Sequence, residues 1–423
     1  MVRVFPMFRS FWAGLAPLKG FFQSTPHPRV ARVNPAADCL QHVGRLNIPV
    51  ARTDAPTGQD RIDQGRHLAR QDRWAELSAE IQTADRTRAT APDGAPVADL
   101  LAFGARSDVV LAVEHALSDG RAFAEYDVLA GISELEGVMQ DHPGDPFIAL
   151  IVALAHIDLA WAWRGTAQVS TLPPLNRARC AAHFDRAGAI LSRWRSATAD
   201  SPIMAAADCA LLGGQPAGTQ RVADRYERLI ALDPNNPRHM RAMGCHLLPR
   251  WFGSYEELEL RALRAAANTQ SIWGAGGYAW VQFDAIALDE IACARLDTDY
   301  FLQGLSDIIA RRPDQQTVNL LASYCALTMH SGQCLNEQAD LVRSRIADAA
   351  HWLIRDHLTE LHPLIWAHAA NGFNNSVRVQ SPERYAARGH RAALQAISDL
   401  FRDELRDGTV VTFTPSGLQL NTP

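Results

Sequence analysis

A glycine-rich stretch in the second half of this 423-residue sequence has the spacing of a nucleotide-binding turn. WGAGGYA, at residues 273–279, fits the pattern GxGxxA, and Asp297 follows at about the distance of a ribose-binding acid. That function requires a strand before the glycines, whereas ELELRALRAAANTQ (257–270) has helical periodicity. We therefore interpret the stretch as a tight turn between two closely packed helices.

Histidines and paired carboxylates are the other residues that could carry chemistry. HWLIRDHLTELHPLIWAH (351–368) has four histidines at gaps of 6, 5 and 6, and Pro363 interrupts the segment, so they do not share one helix face. Asp297 and Asp299 form an acid pair of a kind that many helix surfaces carry. HExxH, GxSxG and GxxxxGK[ST] motifs are absent, and Lys19 is the only lysine. The sequence therefore predicts no metal site, no cofactor and no catalytic residue.

Tryptophan beside arginine is a more distinctive pattern in this chain. The stretches concerned are WAWRG (161–165), RWR (193–195) and PRWFGSY (249–255). Trp161 and Trp163 point to opposite sides of a helix, so one can fill the core while the other faces a groove with Arg164. Aromatic and arginine side chains dominate protein-binding hot spots. Alternatively, the indoles fill gaps between helices and arginine stems cover them.

Charge and cysteine content exclude several classes of protein. The net charge is −5 and the pI is about 6.3, so no general basic field attracts nucleic acid. The seven cysteines are odd in number and lack a CxxC pair, which argues against a disulfide framework and a zinc ribbon. A reducing cytoplasm is the simplest location for such a chain.

Two apolar stretches raise the question of membrane association. In MVRVFPMFRSFWAGLAPLKGFF (1–22), Pro6, Arg9 and Pro17 interrupt the apolar core that a secretory signal needs. This stretch could touch an anionic membrane surface or form a loosely docked arm. In PFIALIVALAHIDLAWAW (146–163), the clean apolar run is too short to span a bilayer and predicts a buried helix.

Helical periodicity runs from Asp60 to about Asp403. The residues before it show little periodicity, and the residues after it alternate as in a β-strand. The predicted regions are a poorly ordered N-terminal arm or linker (1–58), an N-terminal helical region (59–130), helical repeats (131–405) and a C-terminal hairpin or tail (406–423). The arm is predicted to be dispensable for folding. The hairpin is predicted because TVVTFTPSGLQL alternates around a Pro-Ser-Gly turn.

The best internal repeat lies in residues 202–270. Pro202 and Pro237 each begin a helical segment and are 237 − 202 = 35 residues apart. Pro234 ends the helix between them, and Gly244 permits a close helix approach. This combination resembles the tetratricopeptide repeat, whose period is about 34 residues. The resemblance implies a stack of helical hairpins with a concave binding face.

We therefore predict an all-α fold, an irregular α-solenoid of hairpins similar to tetratricopeptide repeats, with a small C-terminal β-hairpin. The resemblance implies a cytoplasmic adaptor that binds a protein or peptide, with an acidic segment or a carboxylate terminus suiting its arginines. The residues predicted to line the binding face are Arg164, Arg241, Arg250, Trp163 and Trp251. The alternative is an all-α enzyme that acts on a sugar or another small molecule inside a helical toroid, using Asp297 and Asp299.

Overall fold

Helices make up most of the protein, and a small sheet is formed near the C-terminus. The structure is a computed structural model that describes residues 43–51, 58–118, 125–165, 172–214, 222–330, 336–373 and 381–422. The predicted all-α class with a small β element is confirmed. The segment 1–22 lies outside the described residues. Two compact units are distinguished, the first comprising residues 58–243 and the second residues 43–51 and 244–422.

The described residues of the first unit are mostly helical. In chain order the helices are α1 (Gln59–Arg70), α2 (Trp74–Thr87), α3 (Val97–Ser118), α4 (Glu125–Asp141), α5 (Pro146–Arg164), α6 (Pro174–Ser192), α7 (Pro202–Ala210) and α8 (Val222–Leu232). The next helix, α9 (Pro237–His246), contains the boundary between the units, after Met243. The helices α7 and α9 begin at the prolines that the repeat pattern predicts, and α8 ends two residues before Pro234.

The α5 helix is the centre of the first unit. Among the described residues it is the one helix long and apolar enough to cross a membrane, but 89% of its apolar window is buried inside the protein. The prediction of a buried helix is therefore confirmed. Asp145 caps its first turn by accepting hydrogen bonds from the amides of Phe147 and Ile148 at 2.9 and 3.1 Å, and Pro146 occupies the first helical position.

The α3 helix, which carries the candidate site, is fixed by a close crossing with α1. A Cβ atom at Gly104 would lie 2.0 Å from the carbonyl oxygen of Ile62. The backbones of α1 and α3 therefore approach so closely that position 104 has no room for a side chain. This contact sets which side of α3 faces α1 and therefore which side faces the interior.

The second unit continues with shorter helices. They are α10 (Tyr255–Asn268), α11 (Gln270–Trp273), α12 (Gly276–Leu288), α13 (Glu290–Ala294), α14 (Thr298–Arg311), α15 (Gln315–Ser323), α16 (Glu337–Asp348), α17 (Ala350–Trp352), α18 (Pro363–Ala370), α19 (Pro382–Leu400) and α20 (Arg402–Arg406). Wide π-helical turns extend α15 through Met329 and α17 through His357. Whether the hairpins of the two units form one solenoid stays a prediction.

The sheet of the second unit has three strands. The strands are β1 (Leu46–Asn47), β2 (Val410–Thr414) and β3 (Gly417–Asn421). The predicted hairpin is formed by β2 and β3, which pair antiparallel, while β1 adds to β2 in parallel with Leu46 opposite Val411. Arg45 donates a hydrogen bond to the carbonyl of Leu405 at 3.1 Å, and Ala51 donates one to that of Leu361 at 2.7 Å.

The third strand is a difference from the sequence prediction, which assigns residues 1–58 to a poorly ordered arm. Residues 43–51 belong to the sheet and its edge, and Leu46 is only 6% exposed. A strand of two residues is too short to show an alternating pattern in the sequence. Its stability comes from its pairing with β2, which the sequence of β1 does not reveal.

We expect Leu46→Ala to lower the free energy of unfolding by about 2–4 kcal/mol, since it removes a buried side chain that β1 contributes to the core. Urea denaturation of the full chain measures this. The control is Val50→Ala, at a position 46% exposed, which should change stability by less than about 0.5 kcal/mol. A neutral Leu46 variant would mean that the segment is dispensable, as its sequence predicts.

Gly244 lies at a close approach, as the repeat pattern predicts. A Cβ atom there would lie 1.8 Å from the carbonyl oxygen of Val281 in α12, and a backbone atom cannot move aside as a side chain can. We expect Gly244→Ala to destabilise the protein by about 1–3 kcal/mol in thermal unfolding.

Gly137→Ala is the matched control for this substitution, because a Cβ atom at that position in α4 meets no atom within 4 Å. It should be neutral or stabilising by up to about 1 kcal/mol, since alanine favours helix more than glycine does. Equal effects of the two substitutions would show that the contact with Val281 is not tight in solution.

Candidate functional site

Three of the residues predicted to bind a partner lie in the first unit. Trp163 is 4% exposed and Trp161 is 8% exposed, so both side chains belong to the core. The reason is that neighbouring helices cover α5 on all sides. Arg164, at the end of α5, is partly exposed. Burial raises the pKa of the Cys180 thiol, and the nearby charge of Arg164 opposes that shift. Arg241 is 4% exposed on α9.

The other two predicted residues lie in the second unit, beyond the end of α9. Arg250 is exposed, and its guanidinium donates a hydrogen bond to the carbonyl of Leu288 at 3.2 Å. Trp251 is partly buried against His246 and Phe252, with ring centroids 6.1 Å from each. That the five residues share one groove stays a prediction.

The residues of the other sequence motifs have structural partners. Gly274, with a φ of +59°, lies between α11 and α12, and the described residues before it are helical, so the prediction of a turn between helices is confirmed. Asp297 caps α14 by accepting from the amide of Tyr300 at 3.0 Å. Asp299 is 83% exposed and pairs with Arg345. The acid pair of the alternative enzyme hypothesis is thus a helix cap and a surface charge.

The four histidines of residues 351–368 are also dispersed. His362 is 3.1 Å from Glu360, and Nδ1 of His368 is 3.2 Å from the hydroxyl of Tyr385. Among the residues that the structure describes, His, Cys, Asp and Glu side chains form no group of three that could hold a metal ion.

The strongest candidate site lies in the first unit, where α3 directs charged side chains into the interior. Asp99, Phe103 and Arg106 are spaced four and three residues apart, so they share one face of the helix. Arg106 is completely buried, and its guanidinium lies against the ring of Phe103, 5.3 Å from the centroid. A fully buried arginine is rare unless its charge is neutralised and its donors are satisfied.

Arg106 meets only part of that requirement. Its Nε atom donates a hydrogen bond to Oδ2 of Asp158, on α5, at 2.7 Å, and both side chains are buried. Within the described part of the chain, neither of its terminal nitrogens has a hydrogen-bond acceptor. Leaving such buried donors without an acceptor costs about 1–3 kcal/mol each. Such buried atoms without a partner are uncommon in folded proteins and call for an explanation.

Asp99 lies close to these donors. Burial raises its pKa to about 6, although the positive charges of His239, Arg238 and Arg106 oppose this shift. A buried carboxyl group with a pKa near neutrality, next to charged partners, is a common mark of a functional site.

Further charges near Asp99 come from α9. Burial lowers the pKa of the Arg238 guanidinium, against the influence of Asp93 and Asp99, and the positive charge of Arg241 lowers it further. The buried His239 is held by Asp233, 3.1 Å away. We call the charged residues of this region the acid–arginine cluster, which consists of Asp93, Asp99, Arg106, Arg238 and Arg241.

The chain matches no protein-family model, no curated protein and no solved structure. The chemistry of the acid–arginine cluster is therefore the basis on which its function can be proposed.

A buried histidine pair is the other concentration of titratable groups in the first unit. Nδ1 of His156 is 2.9 Å from Nδ1 of His183, and Nε2 of His156 is 2.9 Å from Glu136, which also accepts two hydrogen bonds from Arg186. Burial alone would raise the pKa of Glu136, but the hydrogen bonds from Arg186 and His156 outweigh it and lower the pKa.

The ionised Glu136 can only accept, so Nε2 of His156 donates to it, and Nδ1 of His156 accepts from His183. Burial lowers the pKa of His183 to about 4, which keeps the ring neutral at neutral pH. The network thereby connects α4, α5 and α6, and both ring nitrogens of His156 are occupied. We interpret it as a structural connection between these helices.

Sequence reasoning identified Arg241 but missed Asp99 and Arg106. The signal for them is the presence of charged residues, Asp99 and Arg106 seven residues apart and then Asp108, within the mostly apolar segment VADLLAFGARSDVVLAV (97–113). That signal alone does not distinguish a buried charge from one at the edge of a helix face, because the distinction depends on which helices pack there.

We expect Asp99→Asn to stabilise the protein at neutral pH. The folded-state pKa of about 6 lies above the ordinary value of 3.8, so the stability that the protonated acid contributes is lost as pH rises from 4 through 6. Asparagine does not ionise, so its advantage should be near zero at pH 4 and on the order of 1–3 kcal/mol at pH 8.

Urea denaturation between pH 4 and pH 8 measures this difference. Asp108→Asn, which changes a half-exposed carboxylate on the same helix, is the control and should show no comparable widening with pH. An Asp99→Asn variant that is less stable than the native chain at pH 7 would show that ionised Asp99 is a structural partner of the arginines.

Proposed function

We propose that this chain is a helical binding protein and that its acid–arginine cluster binds a carboxylate group of a peptide or protein partner. The observation that carries the proposal is the buried guanidinium of Arg106, whose two terminal nitrogens have no acceptor among the described residues. A binding role also agrees with the resemblance of residues 202–270 to tetratricopeptide hairpins, which present partner-binding faces.

A carboxylate is the acceptor that best fits this chemistry. Guanidinium and carboxylate are both planar, and two parallel hydrogen bonds between them provide affinity and orientation together. Arg238 and Arg241 add positive charge to the same cluster, while the charge of Arg106 is already partly balanced by Asp158. With Asp93 and Asp158 as the two negative charges, the three arginines leave a surplus of one positive charge (3 − 2) while Asp99 is protonated, and that surplus favours an incoming anion close to Arg106.

Asp99 makes this binding dependent on pH. Ionised Asp99 repels a carboxylate, whereas protonated Asp99 donates a hydrogen bond to it. Since its pKa is about 6, a ligand carboxylate should bind more tightly as the pH falls from 7 to 5.

We also propose a cytoplasmic location. The seven cysteines of the sequence are odd in number and lack a CxxC pair, a pattern that favours a reducing compartment over one where disulfide frameworks form.

Catalysis is the second candidate function, and Asp99 is the observation that favours it. A carboxyl group whose pKa is about 6 can both accept and donate a proton near neutral pH, as a general acid or base must. In that case Arg106 would hold an anionic substrate beside Asp99.

The test is binding of the full chain to a peptide array. One half of the array displays acidic peptides with free C-termini, and the other half displays the same peptides with Asn, Gln and a terminal amide in place of each carboxylate. We expect binding to the first half only. Arg106→Lys should weaken it at least about tenfold, since lysine keeps the charge beside Asp158 but lacks the planar fork.

Arg70→Lys is the matched control, because Arg70 forms an exposed ion pair with Asp108. It should leave peptide binding unchanged. Binding that does not distinguish the two halves of the array, or that survives Arg106→Lys, contradicts the proposal. Loss of turnover of an anionic substrate in Asp99→Asn, with binding retained, would favour the enzyme.

A further inference from the structure

A separate recess of the first unit is lined by arginines. It lies where the end of α6, the turn that follows it, α7 and α8 meet, and its free volume is about 50 Å³. Arg195, Arg225 and Arg228 contribute its charged wall, together with Asp208. None of these residues belongs to the acid–arginine cluster.

Two of the three guanidinium groups contact the same carboxylate. Arg195 is 2.7 Å from Oδ1 of Asp208, and Arg225 is 3.6 Å from Oδ2 of the same side chain. Three positive charges and one negative charge leave a surplus of two positive charges (3 − 1) at this recess, in a chain whose net charge is −5. A local surplus of this sign attracts an anion against the overall charge of the protein.

Backbone carbonyls hold two of the arginines in place. Arg225 donates to the carbonyl of Asp208 at 3.3 Å, and Arg228 donates to that of Ala199 at 2.8 Å. Each of these bonds uses one N–H group, and a guanidinium group has five, so further donors remain for a ligand. The side chains of Arg195 and Arg225 are 53% and 27% exposed. The donors are therefore oriented before a ligand arrives, which reduces the entropy lost on binding.

The floor of the recess is apolar. Leu191 and Met204 line it and are 5% and 6% exposed. A free inorganic anion would leave this floor in contact with water, whereas an anion attached to a small apolar group would cover it.

We propose that this recess binds an oxyanion, a phosphate or a carboxylate, carried on a small apolar group. The oxyanion bridges Arg195, Arg225 and Arg228, and the apolar group lies on Leu191 and Met204. This places the RWR motif at residues 193–195 beside a binding site, because Arg195 is its last residue. The proposal is independent of the function proposed for the acid–arginine cluster.

The experiment is isothermal titration calorimetry of the full chain with phenyl phosphate, benzoate and phenol. We expect both anions to bind and phenol to show no measurable heat. Tighter binding of phenyl phosphate identifies a phosphate site, and tighter binding of benzoate identifies a carboxylate site. The affinity should fall as salt rises from about 0.05 to 0.5 M, because these charges are partly exposed.

Two substitutions of opposite sign test the residues. Arg225→Gln combined with Arg228→Gln should weaken binding at least about tenfold. Asp208→Asn should strengthen it by about threefold or more, because it removes the carboxylate that competes with the ligand. Arg73→Gln, at an exposed ion pair with Glu76, is the control and should leave the affinity unchanged.

The proposal is overturned if neither anion binds more tightly than phenol. It is equally overturned if the double arginine variant, folded as judged by circular dichroism, binds with the affinity of the native chain. A negative result here leaves the peptide-array test of Arg106 unaffected, so the two proposals fail separately.

Discussion

The α5 helix has no side that faces water, and the first unit is arranged around that constraint. Apolar side chains satisfy it by packing, but His156 and Asp158 need polar partners inside the protein. His156 forms hydrogen bonds with Glu136 on α4 and His183 on α6, and Asp158 forms one with Arg106 on α3. The polar atoms of one buried helix therefore connect it to three of its neighbours.

Asn319 and Arg106 are both buried polar residues, but they differ in how many of their hydrogen-bonding atoms have partners. Asn319 in the second unit is fully buried, donates to the carbonyls of Gln315 and Glu360, and accepts from the amide of His362 and the indole of Trp366. Its hydrogen-bonding capacity is used completely in holding the turn before α18. Arg106 is buried as deeply, yet its terminal nitrogens have no acceptor in the described chain.

Under the proposed function, stability and ligand binding oppose each other at the acid–arginine cluster. The raised pKa of Asp99 means that its ionised form is disfavoured in the folded state, and the partly satisfied Arg106 adds a further cost. Natural proteins keep such groups where activity requires them, and binding of a ligand then supplies the missing interactions. The recess around Asp208 has no comparable cost, because its arginines are exposed and reach backbone carbonyls.

The sequence alone determined the local features of this protein. Helical periodicity, the prolines at 202 and 237, and the alternation near the C-terminus predicted the all-α class, the starts of α7 and α9 and the hairpin, because each is encoded within one or two turns of chain. Only the tertiary structure decided that β1 joins the sheet, that Trp163 is core and that Arg106 meets Asp158, 52 residues away. Those outcomes depend on which faces of distant segments pack together, and a helix with a 3.6-residue period does not specify its partner.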